Sequence, residues 1–249
     1  MSNKYICQFG EGRDMKELLG GKGAILAEMK SMGLPVPSGF TVTTAACNYY
    51  IEHARFPDGI RSQLRTALGS VEGATGRRFG DSSNPLLLSV RFGACAPMPG
   101  MMQTIPNLGL NDETVQGVAK HSDSELFAYQ CYCRFVGAYA NAALSCTLVR
   151  NDERDPSDDL LGIEGKTKEA APGNWFTVKG LKELVTTFKT AAFEATGRHF
   201  PDDPMQQLWG AIGAAFQSWN NQRAIAYRRL YGIPDIWGTA VNCAAMSEY

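Results

Sequence analysis

The sequence has no excess of either charge. Lysine and arginine together number 24, and aspartate and glutamate number 25, so the formal net charge is -1. A nearly neutral chain has no broad basic field to attract nucleic acid and no acidic block typical of a solvating tail. We therefore expect no nucleic-acid partner, and any phosphate binding must depend on a few locally placed cations.

The sequence also has few residues that bind metals and no pattern that predicts cross-links. It contains three histidines, and its seven cysteines include no CxxC pair, so neither a zinc site nor a disulfide framework is predicted. Reduced thiols of this kind indicate the cytoplasm or an organelle matrix. No apolar run approaches the roughly 20 residues that span a bilayer. The N-terminal segment has neither a signal core nor a transit pattern.

What the sequence does contain is a succession of strand and helix patterns. The residues predict a short strand over 5–9 and a helix over 14–32 that includes a glycine pair. A near-continuous apolar run from Leu86 to Arg91 predicts a strand covered on both faces. Another strand is predicted near 238–243, and it needs earlier strands as partners. These patterns favour a mixed sheet with helices packed on it.

The order of these patterns predicts two subdomains in an α/β (α+β) fold. Residues 1–110 and 201–249 carry the strands and form the first subdomain, whereas 111–200 read as a helical insertion. A polar, glycine-containing and proline-containing stretch near 147–176 interrupts the insertion. We expect this stretch to be a mobile loop.

The first candidate site is the glycine-rich segment Leu19-Gly20-Gly21-Lys22-Gly23-Ala24. Three glycines within four residues allow the backbone to approach an anion closely, and the helix that follows directs its free N–H groups toward that anion. Lys22 adds a positive charge. The segment lacks the P-loop spacing, and no serine or threonine follows the lysine. The residues alone leave two interpretations: a phosphate-binding turn, or a glycine-permitted turn with a surface lysine.

Two further candidates follow the predicted buried strand. Arg91 ends that strand, where sheet proteins bind ligands, and its planar guanidinium suits phosphate. The alternative for Arg91 is an ion pair with a carboxylate. The segment 97–102, which contains Gly100 and Met102, predicts a shaped loop because its prolines stiffen the chain. The alternative for this segment is a methionine-lined packing loop.

Several motifs occur in an order and at spacings that chance does not explain. They include ELLGGKGA from Glu17, GLPVPSGFT from Gly33, SVRFGA from Ser89, MPGMMQT from Met98, NLGLN from Asn107, FQSWNNQRA from Phe216 and WGTAVN from Trp237. Together they resemble the N-terminal, nucleotide-binding part of pyruvate phosphate dikinases. The resemblance covers about 1–145 and 178–243 and fades across 147–176.

This resemblance implies a fold and a set of roles. The family converts ATP, phosphate and pyruvate to AMP, pyrophosphate and phosphoenolpyruvate with Mg²⁺, and its N-terminal part resembles an ATP-grasp clamp. The resemblance implies an incomplete ATP-grasp-like lobe in which Lys22 and Arg91 contact the phosphates of ATP. It places the loop of Gly100 and Met102 over the transferring phosphoryl group. Gly21, Gly23 and Arg134 are further candidates for contact with the nucleotide or with another domain.

The sequence departs from the family pattern at three positions. Phe92 stands where the family usually has serine, Gln103 stands where it usually has aspartate, and Cys133 replaces an arginine. Loss of a carboxylate beside a phosphate site changes the local charge by one unit. The resemblance therefore also implies weakened binding of metal or phosphate.

The family pattern continues beyond the last predicted strand into a second lobe that supplies magnesium ligands. On this basis we expect the Mg²⁺ ligands and the phosphohistidine and pyruvate domains to be missing, and the chain alone to be inactive. Two interpretations stay open. The chain is either a nucleotide-binding piece of a dikinase, or a non-catalytic structural or interaction subunit derived from one. In both cases we expect another protein chain to cover the face left by the missing lobe.

Overall fold

A computed structural model describes residues 4–12, 14–96, 98, 104–144 and 177–246 of the chain. The strands, in chain order, are β1 (Ile6–Gln8), β2 (Gly39–Val42), β3 (Arg78–Phe79), β4 (Pro85–Leu86), β5 (Leu88–Ala94), β6 (Ile105–Leu108) and β7 (Thr239–Ala245). The helices are α1 (Lys16–Ser31), α2 (Thr44–His53), α3 (Ile60–Thr75), α4 (Thr114–His121), α5 (Glu125–Tyr139), α6 (Val178–Thr196), α7 (Pro204–Ser218) and α8 (Gln222–Tyr231). A π-helical turn spans Ala140–Leu144, and a 3₁₀ turn spans Asp235–Trp237.

Several helices begin where a polar side chain caps the first turn. Ser124, Thr177 and Asn221 each accept a hydrogen bond from the backbone N–H three residues later. These caps satisfy N–H groups that have no partner within the helix. None of the helices in the described ranges is long and apolar enough to cross a membrane.

The chain forms two compact units. The first contains Met1–Gly76, Leu88–Thr104 and Ala215–Ser247, and the second contains Arg77–Leu87, Ile105–Ala214 and Glu248–Tyr249. These units divide the chain at other places than the two subdomains expected from sequence, which remain a prediction. The expected mobile loop near 147–176 lies outside the described residues.

The strands β1, β2, β7 and β5 of the first unit pair in that order. β7 comes from near the end of the sequence and lies between β2 and β5. The sequence predicted a mixed sheet, but each of these pairs is antiparallel: β1 runs opposite to β2, and β7 runs opposite to both β2 and β5. Leu88, Ser89 and Val90 at the start of β5 are buried, so both faces are covered there as its apolar run predicted, whereas Arg91 is exposed.

The second unit has its own core and a short parallel pair of strands. β3 pairs with β4 in parallel. Phe135, Tyr139 and Phe200 pack together with ring centroids 5.1–5.6 Å apart. Tilted and edge-on aromatic contacts of this kind stabilise a core beyond the area they bury. The α+β class expected from sequence is therefore present in the described residues.

Candidate functional site

α1 contains a break at Gly20, within the glycine-rich segment. Gly20 has φ 68° and ψ 171°, a backbone conformation that is essentially restricted to glycine. A Cβ at this position would overlap the carbonyl oxygen of Gly93 on β5. The break therefore brings the backbone of α1 directly onto β5 and starts a new helical run at Gly21. The first turn of such a run presents N–H groups that favour an anion.

Gly23, one turn further on, packs against the sheet. A Cβ at Gly23 would lie 3.0 Å from Oδ1 of Asn242 and 3.1 Å from Oγ1 of Thr41. Gly23 is buried, whereas Gly21 is partly exposed and lies above the carbonyl oxygens of Ala94 and Cys95. The glycines of the motif therefore have different surroundings: Gly20 and Gly23 allow close packing, and Gly21 is partly exposed with room for ordinary van der Waals contact.

Lys22 lies between these glycines and reaches toward β5. Its Nζ donates a hydrogen bond to the backbone oxygen of Phe92 over 3.1 Å, and the residue is exposed. Within the described residues, no carboxylate lies at ion-pair distance from Lys22. Its positive charge is therefore not neutralised by this part of the chain.

The expectation that Arg91 ends its strand is wrong, because Phe92, Gly93 and Ala94 continue the pairing of β5 with β7. Arg91 is the exposed residue of an otherwise buried stretch of β5. Its neighbours Val90 and Phe92 are buried, and its Nε donates a long hydrogen bond of 3.4 Å to Oγ of Ser89. The alternative from sequence, an ion pair with a carboxylate, finds no partner in the ranges that the structure describes. Because Lys22 binds the backbone of the residue that follows Arg91, the two cations belong to one region of the first unit.

A pocket of about 510 Å³ opens between the start of the second helical run of α1 and the end of β5. Its lining comprises Lys16, Gly21, Lys22, Ala24, Ile25, Glu28, Phe92, Gly93, Ala94, Cys95, Ala96 and Met98. Two lysines and one glutamate give this lining a net positive charge. A concave site with mostly apolar walls and a few charged groups is typical of small-molecule binding.

Cys95 forms part of the wall beside α1. Its Sγ donates to the backbone oxygens of Lys16 over 3.4 Å and Glu17 over 3.6 Å. Burial, together with the negative charge of Glu17, raises the pKa of the Cys95 thiol above its ordinary value. The thiol is therefore neutral near pH 7 and does not add a negative charge that would oppose an anionic ligand.

Comparison with known proteins identifies the family to which these features belong. The sequence matches the family described as "Pyruvate phosphate dikinase, AMP/ATP-binding domain" over residues 16–74 and 51–249. The chain belongs to the pyruvate phosphate dikinase family. It is 46% identical to the pyruvate, phosphate dikinase of Rhizobium meliloti (strain 1021) and 44% identical to that of Clostridium symbiosum. It is also 44% identical to pyruvate, phosphate dikinase 2 of Oryza sativa subsp. japonica.

The alignments with dikinases cover nearly all of this chain but only part of each relative. They include 98%, 98% and 97% of the chain in the three cases, and 27%, 28% and 27% of the relatives. The chain therefore spans about a quarter of the length of these dikinases. The alignments also extend through 147–176, where the resemblance between motifs fades.

Phe92, which stands where dikinases usually have serine, does not change the charged face of the sheet. Side chains alternate between the two faces of a strand, so Phe92 points away from the face that carries Arg91. It is buried in the core, with 6% of its surface exposed. Cys133 is likewise buried, in α5, and Gln103 lies outside the described residues. The substitution at 92 therefore changes core packing beneath the candidate site.

Of the predicted residues, Gly21 and Lys22 line the pocket, whereas Gly23 packs against the sheet and Arg91 lies beside the lining residue Phe92 without lining the pocket itself. The other predicted residues do not join this pocket in the described structure. Gly100 and Met102 lie outside the described residues. Arg134 is exposed on α5, which belongs to the second unit. Gly21, Lys22 and Arg91 remain predictions as ligand-binding residues, now with a common location in the first unit.

Sequence reasoning missed other residues of the pocket. Ile25 and Glu28 follow Gly21 at positions i+4 and i+7, so all three lie on one face of α1. This spacing was visible in the sequence, although nothing in it indicated that the face borders a cavity. Within the described part of the chain, no group of three or more histidine, cysteine, aspartate or glutamate side chains could hold a metal ion.

Proposed function

We propose that this chain binds the polyphosphate of ATP at the pocket between α1 and β5. The observation that carries the proposal is the hydrogen bond from Nζ of Lys22 to the backbone oxygen of Phe92, the residue next to Arg91, which brings two exposed cations to the same part of β5. Neither cation has a carboxylate partner among the described residues. Both charges are therefore available to a phosphate.

Each group contributes a different kind of contact. The guanidinium of Arg91 presents a planar pair of donors that matches two phosphate oxygens, and the ammonium of Lys22 acts as a compact point charge. The N–H groups at Gly21 extend the site because a helix N-terminus favours negative charge. Hydrogen bonds to charged groups contribute about 1.5–3 kcal/mol each, which corresponds to roughly 10- to 150-fold in affinity.

The family supports ATP as the source of that phosphate. In the full-length protein, we propose that this part supplies cations to the ATP phosphates during conversion of ATP, phosphate and pyruvate to AMP, pyrophosphate and phosphoenolpyruvate. Bound Mg²⁺ would neutralise phosphate charge. The antiparallel sheet with helices packed on it is compatible with the ATP-grasp-like lobe implied by the motifs.

The experiment is a calorimetric titration of the chain with ATP, AMP and adenosine in the presence of Mg²⁺. We expect affinity to fall from ATP to AMP to adenosine, because the phosphates carry the interaction. Lys22→Ala and Arg91→Ala should each raise the Kd for ATP about 10-fold or more. Lys30→Ala and Arg65→Ala are matched controls, because these cations are exposed on α1 and α3, and they neither line the pocket, as Lys22 does, nor adjoin a lining residue, as Arg91 does.

Two results would contradict the proposal. The wild-type chain could release no heat with millimolar ATP, which would favour a structural or interaction role for the chain. Alternatively, Lys22→Ala and Arg91→Ala could bind ATP as tightly as the two control variants. That second result would place ATP binding elsewhere in the protein.

A further inference from the structure

A polar row crosses the sheet beneath α1. Thr41 on β2 is paired with Asn242 on β7, and Asn242 is paired with Arg91 on β5. Residues paired directly across neighbouring strands have side chains on the same face. The candidate phosphate ligand Arg91 is therefore the exposed end of a row whose other two members are buried, each with 2% of its surface exposed.

The central member of the row, Asn242, contacts the elements that carry both cations. Its Oδ1 accepts a hydrogen bond of 2.8 Å from Oγ1 of Thr41. The same Oδ1 atom lies directly beneath Gly23 of α1. Its Nδ2 lies beneath Gly93 of β5: a Cβ at Gly93 would be 3.3 Å from Nδ2 and 3.4 Å from Cβ of Lys22. The carboxamide therefore lies at the point where α1 crosses β5.

The carboxamide of Asn242 is not fully satisfied at this position. Nδ2 is buried and has no hydrogen-bond partner in the described structure. A buried donor without an acceptor is unfavourable, and an apolar side chain of similar shape would avoid this penalty. The hydrogen bond from Thr41 accounts for Oδ1 but not for the unpaired Nδ2, which lies beside the backbone of Gly93 on β5.

We propose that Asn242 is a positioning residue for the phosphate site. It fixes the height of α1 above β5 through Thr41 and Gly23, and thereby fixes the placement of Lys22 relative to Arg91. This inference rests on the proposed function, because the consequence of correct placement is phosphate binding. Asn242 is too buried to serve as a ligand itself, so its effect on affinity must act through Lys22.

The test combines ATP affinity with hydrogen exchange of the free protein. Asn242→Ala should raise the Kd for ATP about 10-fold in the wild-type background and less than about 2-fold in the Lys22→Ala background, because coupled residues are not additive. It should also speed amide exchange at the start of the second helical run of α1. Thr41→Val should produce the same changes to a smaller extent, and Thr41→Ser should restore wild-type behaviour.

Cys243→Ala is the matched control. Cys243 is the next residue on β7, it is equally buried, and strand alternation places it on the opposite face of the sheet. This variant should lower the melting temperature without changing ATP affinity or selectively speeding exchange in α1. Far-UV circular dichroism at the titration temperature confirms that each variant is folded.

The outcomes separate this inference from the proposed function. If wild-type protein binds ATP through Lys22 and Arg91 but Asn242→Ala binds equally well, the positioning role is wrong and the proposed function stands. If wild-type protein does not bind ATP, the proposed function fails, and the exchange rates alone still decide the role of Asn242. Amide exchange that becomes faster in α1 in Asn242→Ala and Thr41→Val, but not in Cys243→Ala, supports the positioning role. If exchange in α1 becomes equally fast in Cys243→Ala, the positioning role is wrong.

Discussion

Replacing Gly20 by alanine should destabilise the protein more than an ordinary glycine substitution. Gly20 occupies a region of backbone conformation that costs about 1–3 kcal/mol for other residues. A Cβ there would also overlap the backbone oxygen of Gly93, which cannot rotate away, and overpacking of this kind costs about 1–3 kcal/mol more. We therefore expect Gly20→Ala to lower the free energy of unfolding by about 2–6 kcal/mol.

Gly33→Ala provides the matched comparison. Gly33 follows the end of the same helix and has φ +75°, but a Cβ at this position would have no neighbour within 4 Å. Its substitution should therefore cost only the backbone term, about 1–2 kcal/mol. Urea unfolding monitored by far-UV circular dichroism measures both changes. If Gly20→Ala costs no more than Gly33→Ala, the close crossing of α1 over β5 is wrong.

Three further predictions concern other charged groups and thiols. Asp235→Ala should lower the free energy of unfolding in urea by about 2–3 kcal/mol, because the buried Arg228 guanidinium donates to this carboxylate over 2.8 Å; an unchanged value would contradict the pairing. At pH 8, iodoacetamide should modify Cys95 in the native protein but Cys47 only after unfolding, because burial raises the pKa of Cys47 to about 12; equal labelling by mass spectrometry would refute this. The hydroxyl and backbone N–H of Ser83 donate to the Asp81 carboxylate and lower its pKa in the folded protein below 3.8. The ionised carboxylate therefore stabilises the fold above pH 3.8, and this stabilisation is lost as the pH falls through the folded pKa. The difference in unfolding free energy between wild type and Asp81→Asn should therefore shrink from pH 5 to pH 3, and a constant difference would contradict it.

Local sequence patterns predicted most of the secondary structure of the first unit. The helix expected over 14–32 is α1, Lys16–Ser31, and the strand expected near 238–243 is β7, Thr239–Ala245. These elements have strong periodic or apolar patterns, which depend only on neighbouring residues. In the second unit, the strand β6 was missed because Pro106 lies within it, and proline argues against a strand when only the sequence is considered.

The arrangement of the strands could not be predicted in the same way. The insertion of β7 between β2 and β5 joins residues about 150 to 200 positions apart, and no local pattern encodes that pairing. β7 runs antiparallel to both of these strands. Long-range register, set by the packing of buried faces, therefore accounts for the part of the fold that local patterns left open.

The candidate site likewise has a part that local sequence predicted and a part that depends on long-range packing. The glycine motif and Lys22 were identifiable because glycine followed by a helix has a known affinity for anions. The separate roles of Gly20, Gly21 and Gly23 depend on which of them packs against β5 or β7. The sequence contains three glycines either way and does not show which of them packs against a strand. Asn242 was visible only as the last residue of the WGTAVN motif, and nothing local indicated that it pairs across the sheet with Arg91.

The most direct test of the central claim is a nuclear magnetic resonance titration of isotope-labelled protein with ATP and Mg²⁺. If the phosphates bind between α1 and β5, the largest shifts should occur at the amides of Gly21 and Lys22 and at Nε of Arg91. These shifts should be lost when ATP is replaced by adenosine. ATP-dependent shifts that leave all three signals unchanged would contradict the account.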